Sequence, residues 1–202
     1  MMKTSTHRRL LLGDEALAQG ALDAGLSGAY AYPGTPSTEI LEFIQADKIA
    51  REQGVHSRWS TNEKTAVEEA LGMSFCGKRS ISSMKHVGLN VAADPFLNSA
   101  MTGANGGMIV VAADDPSMHS SQNEQDSRFY ADFAFIPCLE PSTQQEAYDM
   151  PAYAYDLSEK FGIPVLMRMV TRMAHSRANV EVADERRPQN ELHYPAPERA
   201  RQ

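Results

Sequence analysis

Short apolar runs alternate with helical patterns along this chain, which predicts a parallel α/β domain. The predicted strands are Gly28–Tyr32, Val55–Ser60, Arg79–Lys85, Met108–Ala113, Phe135–Leu139 and Ile163–Val170. The run Met108–Ala113 is apolar throughout, which is typical of a strand covered on both faces. Strands that alternate with helices form βα units. We therefore expect a three-layer α/β/α sandwich with a mostly parallel sheet and with Val110 and Val111 in its central strand.

Helical periodicity fills the segments between these strands. The predicted helices are Asp14–Ala24, Ser37–Arg51, a helix capped by Asn62, Leu89–Thr102 with an interruption at Pro95, and Ser142–Phe161. After His175 the chain becomes polar and contains several prolines, which is typical of a linker or a disordered end. We therefore expect one domain over residues 1–178 and a polar linker or tail over residues 179–202.

Composition narrows the class of protein. The chain has 202 residues, of which 42% are hydrophobic and 22% are charged, as in an ordinary globular domain. A net charge of −7 argues against a nucleic-acid-binding surface. No apolar run approaches the roughly 18 residues that a membrane helix needs. Cys76 and Cys138 are too few for an iron–sulfur cluster, and they do not suggest a secreted disulfide framework. We expect a cytoplasmic protein.

Candidate chemistry lies in the loops after the predicted strands, where parallel sheets bind ligands. The loop Tyr32–Ser37 joins a tight turn to a helix start, and its Thr35 and Ser37 hydroxyls suit an anion or a carbonyl oxygen, although a simple capped helix would have the same sequence. Glu63 follows the cap Asn62, so it is either a surface partner of the helix dipole or a carboxylate that faces a ligand.

Two further loops are rich in polar groups. Lys85–Asn90 contains Gly88, where a backbone could approach a ligand, and His86, which is either a base or a structural residue. The segment His119–Asp126 is either a solvated loop or a surface that contacts a cofactor or partner. The chain lacks the glycine fingerprint of dinucleotide binding, the phosphate-binding P-loop and the serine nucleophile elbow.

Five motifs in order carry a resemblance to a known family. They are Gly13–Ala21, Tyr32–Ser37, Asn62–Lys64, Met84–Asn90, and Ala113–Pro116 followed by His119–Asp126. In this order the chain resembles, from about Leu10 to Ala178, the amino-terminal region of the indolepyruvate-using alpha subunits in the 2-oxoacid:ferredoxin oxidoreductase family. The resemblance implies a thiamine diphosphate-binding fold, and within it the domain that holds the aminopyrimidine ring.

The resemblance also implies roles for individual residues. Glu63 matches the family's glutamate that hydrogen-bonds ring nitrogen N1′, and it is the catalytic residue that the resemblance implies. Thr35 matches a threonine near the substrate and the cofactor, and Gly34 and Asn90 belong to the matched cofactor loops. The pyruvate-using members carry a carboxylate-binding arginine just before the strand matched by Met108–Ala113, where this chain has only Asn105, Gly106 and Gly107. Arg128 is an alternative partner for the substrate carboxylate.

The activity implied is oxidative decarboxylation of indolepyruvate or another arylpyruvate to an acyl-coenzyme A, with ferredoxin as the electron acceptor. Pyruvate or another 2-oxoacid as substrate, and a non-catalytic module of this fold, are the alternatives. Gly13-Asp14 opens a helix and is not the family's diphosphate motif. We therefore expect no metal ligand in this chain, and we expect Mg²⁺ and iron–sulfur clusters to be bound by other domains.

The resemblance implies partners as well. They are a diphosphate-binding domain or subunit, a beta subunit, ferredoxin, coenzyme A and a second copy of this chain in a homodimer. The chain alone is expected to be inactive.

Overall fold

A computed structural model describes residues 6–193, and its centre is a six-stranded parallel sheet. Six of the eight strands in the described residues form this sheet, and β1 and β8 form a second, two-stranded sheet. The strands are β1 (Thr6–Leu12), β2 (Gly28–Ala31), β3 (His56–Trp59), β4 (Ser80–Lys85), β5 (Met108–Asp114), β6 (Cys138–Leu139), β7 (Val165–Val170) and β8 (Arg177–Ala183). The sheet order is β3-β2-β4-β5-β7-β6, and each of these pairs is parallel. β5 lies between β4 and β7 and is buried over its whole length, which confirms the predicted central strand.

Helices cover both faces of this sheet. They are α1 (Gly13–Asp23), α2 (Thr38–Ala46), α3 (Lys48–Glu52), α4 (Glu63–Phe75), α5 (His86–Val91), α6 (Ala93–Thr102), α7 (Arg128–Ala134), α8 (Gln144–Phe161) and α9 (Thr171–Ala174). Alternate residues of β5 enter opposite cores, because successive side chains of a strand point to opposite faces. Ile109 and Val111 pack in the core with residues of α1, α2 and α8. Val110 packs with residues of α4, α6 and α7. The predicted three-layer sandwich is therefore confirmed.

Two predicted helices are interrupted in the structure at positions that differ from the prediction. The helix predicted over Ser37–Arg51 breaks at Asp47, whose side chain caps α3 by accepting a hydrogen bond from the Ala50 amide at 2.6 Å. The interruption predicted at Pro95 falls at Ala92, between α5 and α6. Pro95 lies in the first turn of α6, where an amide hydrogen has no partner within the helix, so proline is tolerated there.

The strand predicted over Phe135–Leu139 is much shorter than expected. Phe135 has a left-handed backbone conformation at the end of α7, and only Cys138 and Leu139 pair with β7. These two residues form the edge of the sheet, next to β7. The segment predicted as one strand therefore consists of a helix end followed by a short edge strand.

The linker predicted after His175 is wrong for its first part. β8 pairs antiparallel with β1 over seven residues, from Thr6 opposite Ala183 to Leu12 opposite Arg177, and crosses the expected domain boundary at residue 178. Leu11, Val180 and Val182 from this small sheet are buried in the main core. Neither strand was predicted, since β1 shows little apolar alternation and its partner lies about 170 residues away in the chain.

The following residues also pack against the domain. Arg186 lies between Asp23 and Asp47, with closest distances of 3.2 and 2.8 Å, and its side chain is only 9% exposed. Arg187 pairs with Asp156 at 3.0 Å. Ionic contacts therefore hold the chain against the domain at Arg186 and Arg187. Residues 194–202 of the predicted tail lie outside the described residues. No helix among residues 6–193 is long and apolar enough to cross a membrane.

Arg79, just before β4, connects β4 to α8 through an ionic network in which the arginine is buried and the carboxylates are partly exposed. Its guanidinium donates to Glu159 at 2.8 Å, to Asp156 at 2.9 Å and to the Ala24 carbonyl at 2.7 Å, and it stacks over the ring of Tyr155. Its side chain is 8% exposed. Asp156 and Glu159 are 51% and 26% exposed, so water solvates their charges if Arg79 is removed, and the cost is the loss of the charged hydrogen bonds.

We expect Arg79→Ala to lower the free energy of unfolding by about 1.5–3 kcal/mol, the usual contribution of a hydrogen bond to a charged group. Arg8→Ala is the control, since Arg8 pairs with Glu181 on the surface with 75% of its side chain exposed. Exposed pairs of this kind contribute less than about 1 kcal/mol. Urea unfolding of both variants measures the difference, and equal losses would show that the Arg79 network adds no more than a surface pair.

Candidate functional site

Three loops converge at the carboxyl edge of the sheet, on the neighbouring strands β3, β2 and β4. Glu63 opens α4 after β3, Gly34 and Thr35 follow β2, and Gly88 lies in α5 directly after β4. The three strands are parallel and adjacent, so their carboxyl ends lie side by side. Strand spacing of about 4.8 Å brings the three loops within reach of one small ligand.

The side chain of Glu63 lies directly over Gly88. A Cβ atom added to Gly88 would come within 2.6 Å of both Cγ and Oε1 of Glu63, so the side chain of Glu63 would have to move from this position. Asn62 fixes the start of α4 by accepting a hydrogen bond from the Thr65 amide at 2.9 Å. Glu63 is half-buried, and no residue in the described range hydrogen-bonds or ion-pairs with its carboxylate. Its oxygens are therefore available to a ligand.

The loop after β2 is held by its own hydrogen bonds. Ser37 Oγ donates to the Gly34 carbonyl at 2.8 Å, and the Gly34 amide donates to Thr38 Oγ1 at 3.1 Å. The peptide bond between Thr35 and Pro36 is cis. Ser37 is buried and its hydroxyl is used inside the loop, so the ligand-binding hydroxyl expected there is not free. Thr35 is exposed to solvent and lies within this hydrogen-bonded turn.

Asn90 and His86 connect α5 to neighbouring elements. Tyr130 of α7 donates a hydrogen bond to Asn90 Oδ1 at 2.6 Å, which leaves the amide hydrogens of the exposed Asn90 side chain free to donate. His86 is fully buried, and its Nε2 lies 3.2 Å from Asn123 Oδ1. The burial of His86 favours the structural interpretation over a role as a base.

Asp115 organises the polar loop that follows β5, and sequence reasoning missed it. It accepts hydrogen bonds from the Ser120 amide at 2.8 Å, from Ser121 Oγ at 2.6 Å and from Thr171 Oγ1 at 2.6 Å. Desolvation alone would raise the pKa of Asp115, but these hydrogen bonds hold it well below its ordinary value. The segment His119–Asp126, predicted as either a solvated loop or a surface that contacts a cofactor or partner, is therefore preceded by a carboxylate that anchors its first residues.

Arg168 is the second residue that sequence reasoning missed. It lies in the apolar strand β7 with its side chain 8% exposed, and its Nε donates to the fully buried Asp114 at 2.6 Å. It also ion-pairs with Glu140. An arginine within an otherwise apolar strand is the signal that could have indicated this network, because a buried cation requires a carboxylate partner.

Arg128 is already paired within the chain. Its guanidinium contacts Asp126 at 2.6 Å and approaches Glu140 to 3.8 Å, next to Arg168 of β7. The Arg128 hydrogen bond lowers the pKa of Asp126 to about 2. Three strand spacings separate β7 from β2, so the structure does not bring Arg128 together with Thr35. The Arg128 side chain is 57% exposed, and within the described residues its Nη1 makes only the 3.8 Å contact with Glu140.

The chain belongs to a family of thiamine diphosphate-binding domains. The family model described as pyruvate flavodoxin/ferredoxin oxidoreductase, thiamine diphosphate-binding, matches residues 19–202. This match identifies the class of the domain and confirms the family that the five motifs resemble.

Particular relatives refine this class. The chain is 51% identical over 177 residues to the indolepyruvate oxidoreductase subunit IorA of Thermococcus kodakarensis, and 52% identical over 177 residues to that of Pyrococcus abyssi. These matches cover 88% of this chain but 27% of each relative, so the chain spans about a quarter of their length.

A solved structure supports the fold. The 2-oxoglutarate:ferredoxin oxidoreductase from Magnetococcus marinus, solved with 2-oxoglutarate, coenzyme A and succinyl-CoA bound, superimposes with a TM-score of 0.76. The superposition covers 88% of this chain and 32% of that chain at 20% sequence identity. At that identity the similarity shows the fold.

We expect Gly88→Ala to displace Glu63, because the new methyl group would overlap its side chain. Alanine in a helix interior normally adds up to about 1 kcal/mol over glycine. Gly72→Ala in α4 should show this gain, since a Cβ atom at Gly72 meets nothing within 4 Å. Gly88→Ala should gain nothing or lose stability. Urea unfolding of both variants measures the contrast, and an equal gain would show that Glu63 does not depend on this glycine.

The Asp126–Arg128 pair predicts a pH dependence. Because the pKa of Asp126 in the folded chain is about 2 and that of an unfolded aspartate is about 3.9, its contribution to stability is complete above about pH 5 and is lost as the pH falls through about 2. We expect the difference in unfolding free energy between wild type and Asp126→Asn to shrink over this range. Asp132→Asn, which removes an exposed carboxylate of α7, controls for the loss of one charge. A difference that stays constant down to pH 2 would contradict the pairing.

Proposed function

We propose that this chain is the pyrimidine-binding domain of a thiamine diphosphate-dependent indolepyruvate:ferredoxin oxidoreductase. The observation that carries this proposal is the position of Glu63. Its half-buried carboxylate lies over Gly88, between two loops of the ligand-binding edge, and has no partner in the described part of the chain. A carboxylate in that state fits a ligand that offers a ring nitrogen, as the aminopyrimidine of the family's cofactor does.

Each candidate residue at the carboxyl edge of the sheet has its own proposed role. When bound, thiamine diphosphate supplies the carbon nucleophile that attacks the keto group of the substrate. Glu63 holds a proton at ring nitrogen N1′, which controls the basicity of the ring. Gly34 and Asn90 contact the cofactor, Gly34 through its tight backbone turn and Asn90 through its free amide hydrogens. Thr35 presents its hydroxyl toward the substrate.

The proposed substrate is indolepyruvate or another arylpyruvate. Support comes from the relatives near 50% identity, which carry the name indolepyruvate oxidoreductase, whereas the 2-oxoglutarate synthase subunit KorA of Methanothermobacter thermautotrophicus is 29% identical. The other proposed substrates are pyruvate and further 2-oxoacids. Arg128 is the proposed carboxylate partner, through the Nη1 donors that its ion pair with Asp126 leaves unused.

The complete enzyme requires other domains. We propose a diphosphate-binding domain that holds Mg²⁺, a beta subunit, iron–sulfur clusters that pass electrons to ferredoxin, and coenzyme A as the acyl acceptor. The two cysteines of this chain are free thiols, consistent with a cytoplasmic enzyme. Three phenylalanines at α7, Phe129, Phe133 and Phe135, are 71%, 72% and 93% exposed. Such a patch marks an interaction surface, which supports association with these domains or with a second copy.

The decisive experiment is Glu63→Gln in the reconstituted holoenzyme. Glutamine keeps the size and hydrogen bonding of glutamate but removes the titratable proton. We expect exchange of the cofactor C2 proton for deuterium to slow by about 10²–10⁴-fold, the usual contribution of general acid–base catalysis. Cofactor affinity should change much less, because the diphosphate and Mg²⁺ are bound by the other domain.

Glu68→Gln is the matched control, since Glu68 is an exposed carboxylate of the same helix. It should leave the exchange rate unchanged. If Glu63 served only as a partner of the helix dipole, Glu63→Gln would cost roughly 0.3–1 kcal/mol of stability and leave exchange normal. Equal exchange rates in wild type and Glu63→Gln would remove Glu63 from the mechanism.

A further inference from the structure

A second cluster of functional groups, which does not include Glu63, lies where the start of α1 meets α2 and the segment after α9. It consists of Asp14 in the first turn of α1, Glu39 in the first turn of α2, and His175 just after α9. One ligand atom from each of the three side chains lies within 4.8 Å of the other two. Residues far apart in the sequence are thus brought around one point.

Asp14 is the unusual member of this cluster. It is 0% exposed, and neither of its carboxylate oxygens has a hydrogen-bond partner within residues 6–193. Oxygen Oε2 of Glu39 is likewise buried and unpartnered. Burying an unpaired carboxylate costs several kcal/mol, so buried charges are normally paired or bound to a metal. A fully buried carboxylate that lies beside a second carboxylate and an imidazole therefore calls for a cation.

The spacing of the neighbouring ligand atoms also suits a cation. His175 Nε2 and Glu39 Oε1 are 3.5 Å apart, which is long for a hydrogen bond between them. Two ligands of one tetrahedral zinc ion, with bonds of about 2.0–2.1 Å, are about 3.3 Å apart. The side chains of His175 and Glu39 are 35% and 34% exposed, so an ion has a path from solvent and water can complete its coordination.

The backbone holds these three residues in place. The Gly13 amide donates to the Ser176 carbonyl at 3.2 Å, and a Cβ atom on Gly13 would meet the Met173 carbonyl oxygen at 2.1 Å. Only glycine therefore lets α1 start this close to α9, and Asp14 is next in sequence. Glu15 is not part of the cluster, and its Oε2 accepts a hydrogen bond from the Leu12 amide at 2.8 Å.

We propose that Asp14, Glu39 and His175 bind one divalent transition-metal ion. Two carboxylates balance the charge of the ion, and the imidazole selects zinc or a neighbouring first-row metal over Mg²⁺, which prefers oxygen ligands. The ion joins α1, α2 and the segment between α9 and β8. Its ligand Glu39 follows the Gly34–Ser37 loop two residues later in the sequence. The role of the ion is to hold these elements together, separate from the chemistry at Glu63.

The test is titration of the full 202-residue chain with Zn²⁺, with no thiamine diphosphate present, so that its result is independent of the proposed function. We expect one ion per chain by calorimetry and no displacement by excess Mg²⁺. His175→Gln and Asp14→Ala should each weaken binding at least 10-fold. X-ray absorption should show an imidazole among ligands at about 2.0–2.2 Å.

His7→Gln is the matched control, since His7 also pairs with a carboxylate, Asp184, on the surface of the β1–β8 sheet. It should bind Zn²⁺ as the wild type does. Asp14→Ala removes a buried side chain and could unfold the chain, so circular dichroism accompanies it and the partly exposed His175 provides the second variant. No binding to the wild type, or binding unchanged in folded His175→Gln, would overturn the proposal.

Discussion

The parallel pairing of β3, β2 and β4 fixes the position of everything at the candidate site. Because these strands run in one direction, the loops that follow them must emerge at one edge of the sheet. Glu63 and Gly88 are 25 residues apart in sequence, yet the strand pairing brings the Glu63 side chain into contact with Gly88. A glutamate at a helix start is common on protein surfaces. Its position over a glycine at this edge of the sheet supports the role that we propose for it.

Buried ion pairs stiffen the rest of this edge. Arg168 joins β7 to Asp114 at the end of β5, and Asp115 gathers the polar loop that follows. Pairs of this kind add little net stability compared with apolar packing, because both charges must leave water. Their effect is to specify one arrangement, since any other would leave a charge buried alone. The loop after β5 is therefore set by electrostatics rather than by packing.

The sequence predicted the parts of the fold that depend on local patterns. An apolar run such as Met108–Ala113 indicates a buried strand wherever it occurs, and Asn62 indicates a helix start through its own side chain. The pairing of β1 with β8 left no local signal, because each strand is defined only by a partner at the other end of the chain. In the same way, Glu63 was visible as a candidate, whereas its dependence on Gly88 required knowing which strands are neighbours.

Glu63 and Asp14 are both carboxylates without a protein partner, yet burial makes them chemically different. Glu63 is half-buried, so water satisfies it until a ligand arrives, and its charge costs little in the meantime. Asp14 is sealed from water, and burial, followed by the charges of Glu39 and Glu15, raises its pKa well above the ordinary value. Such a group needs a counter-charge at all times, either a proton or a cation. The neighbouring imidazole of His175 offers a nitrogen ligand, and this is the reason for proposing a metal cation there.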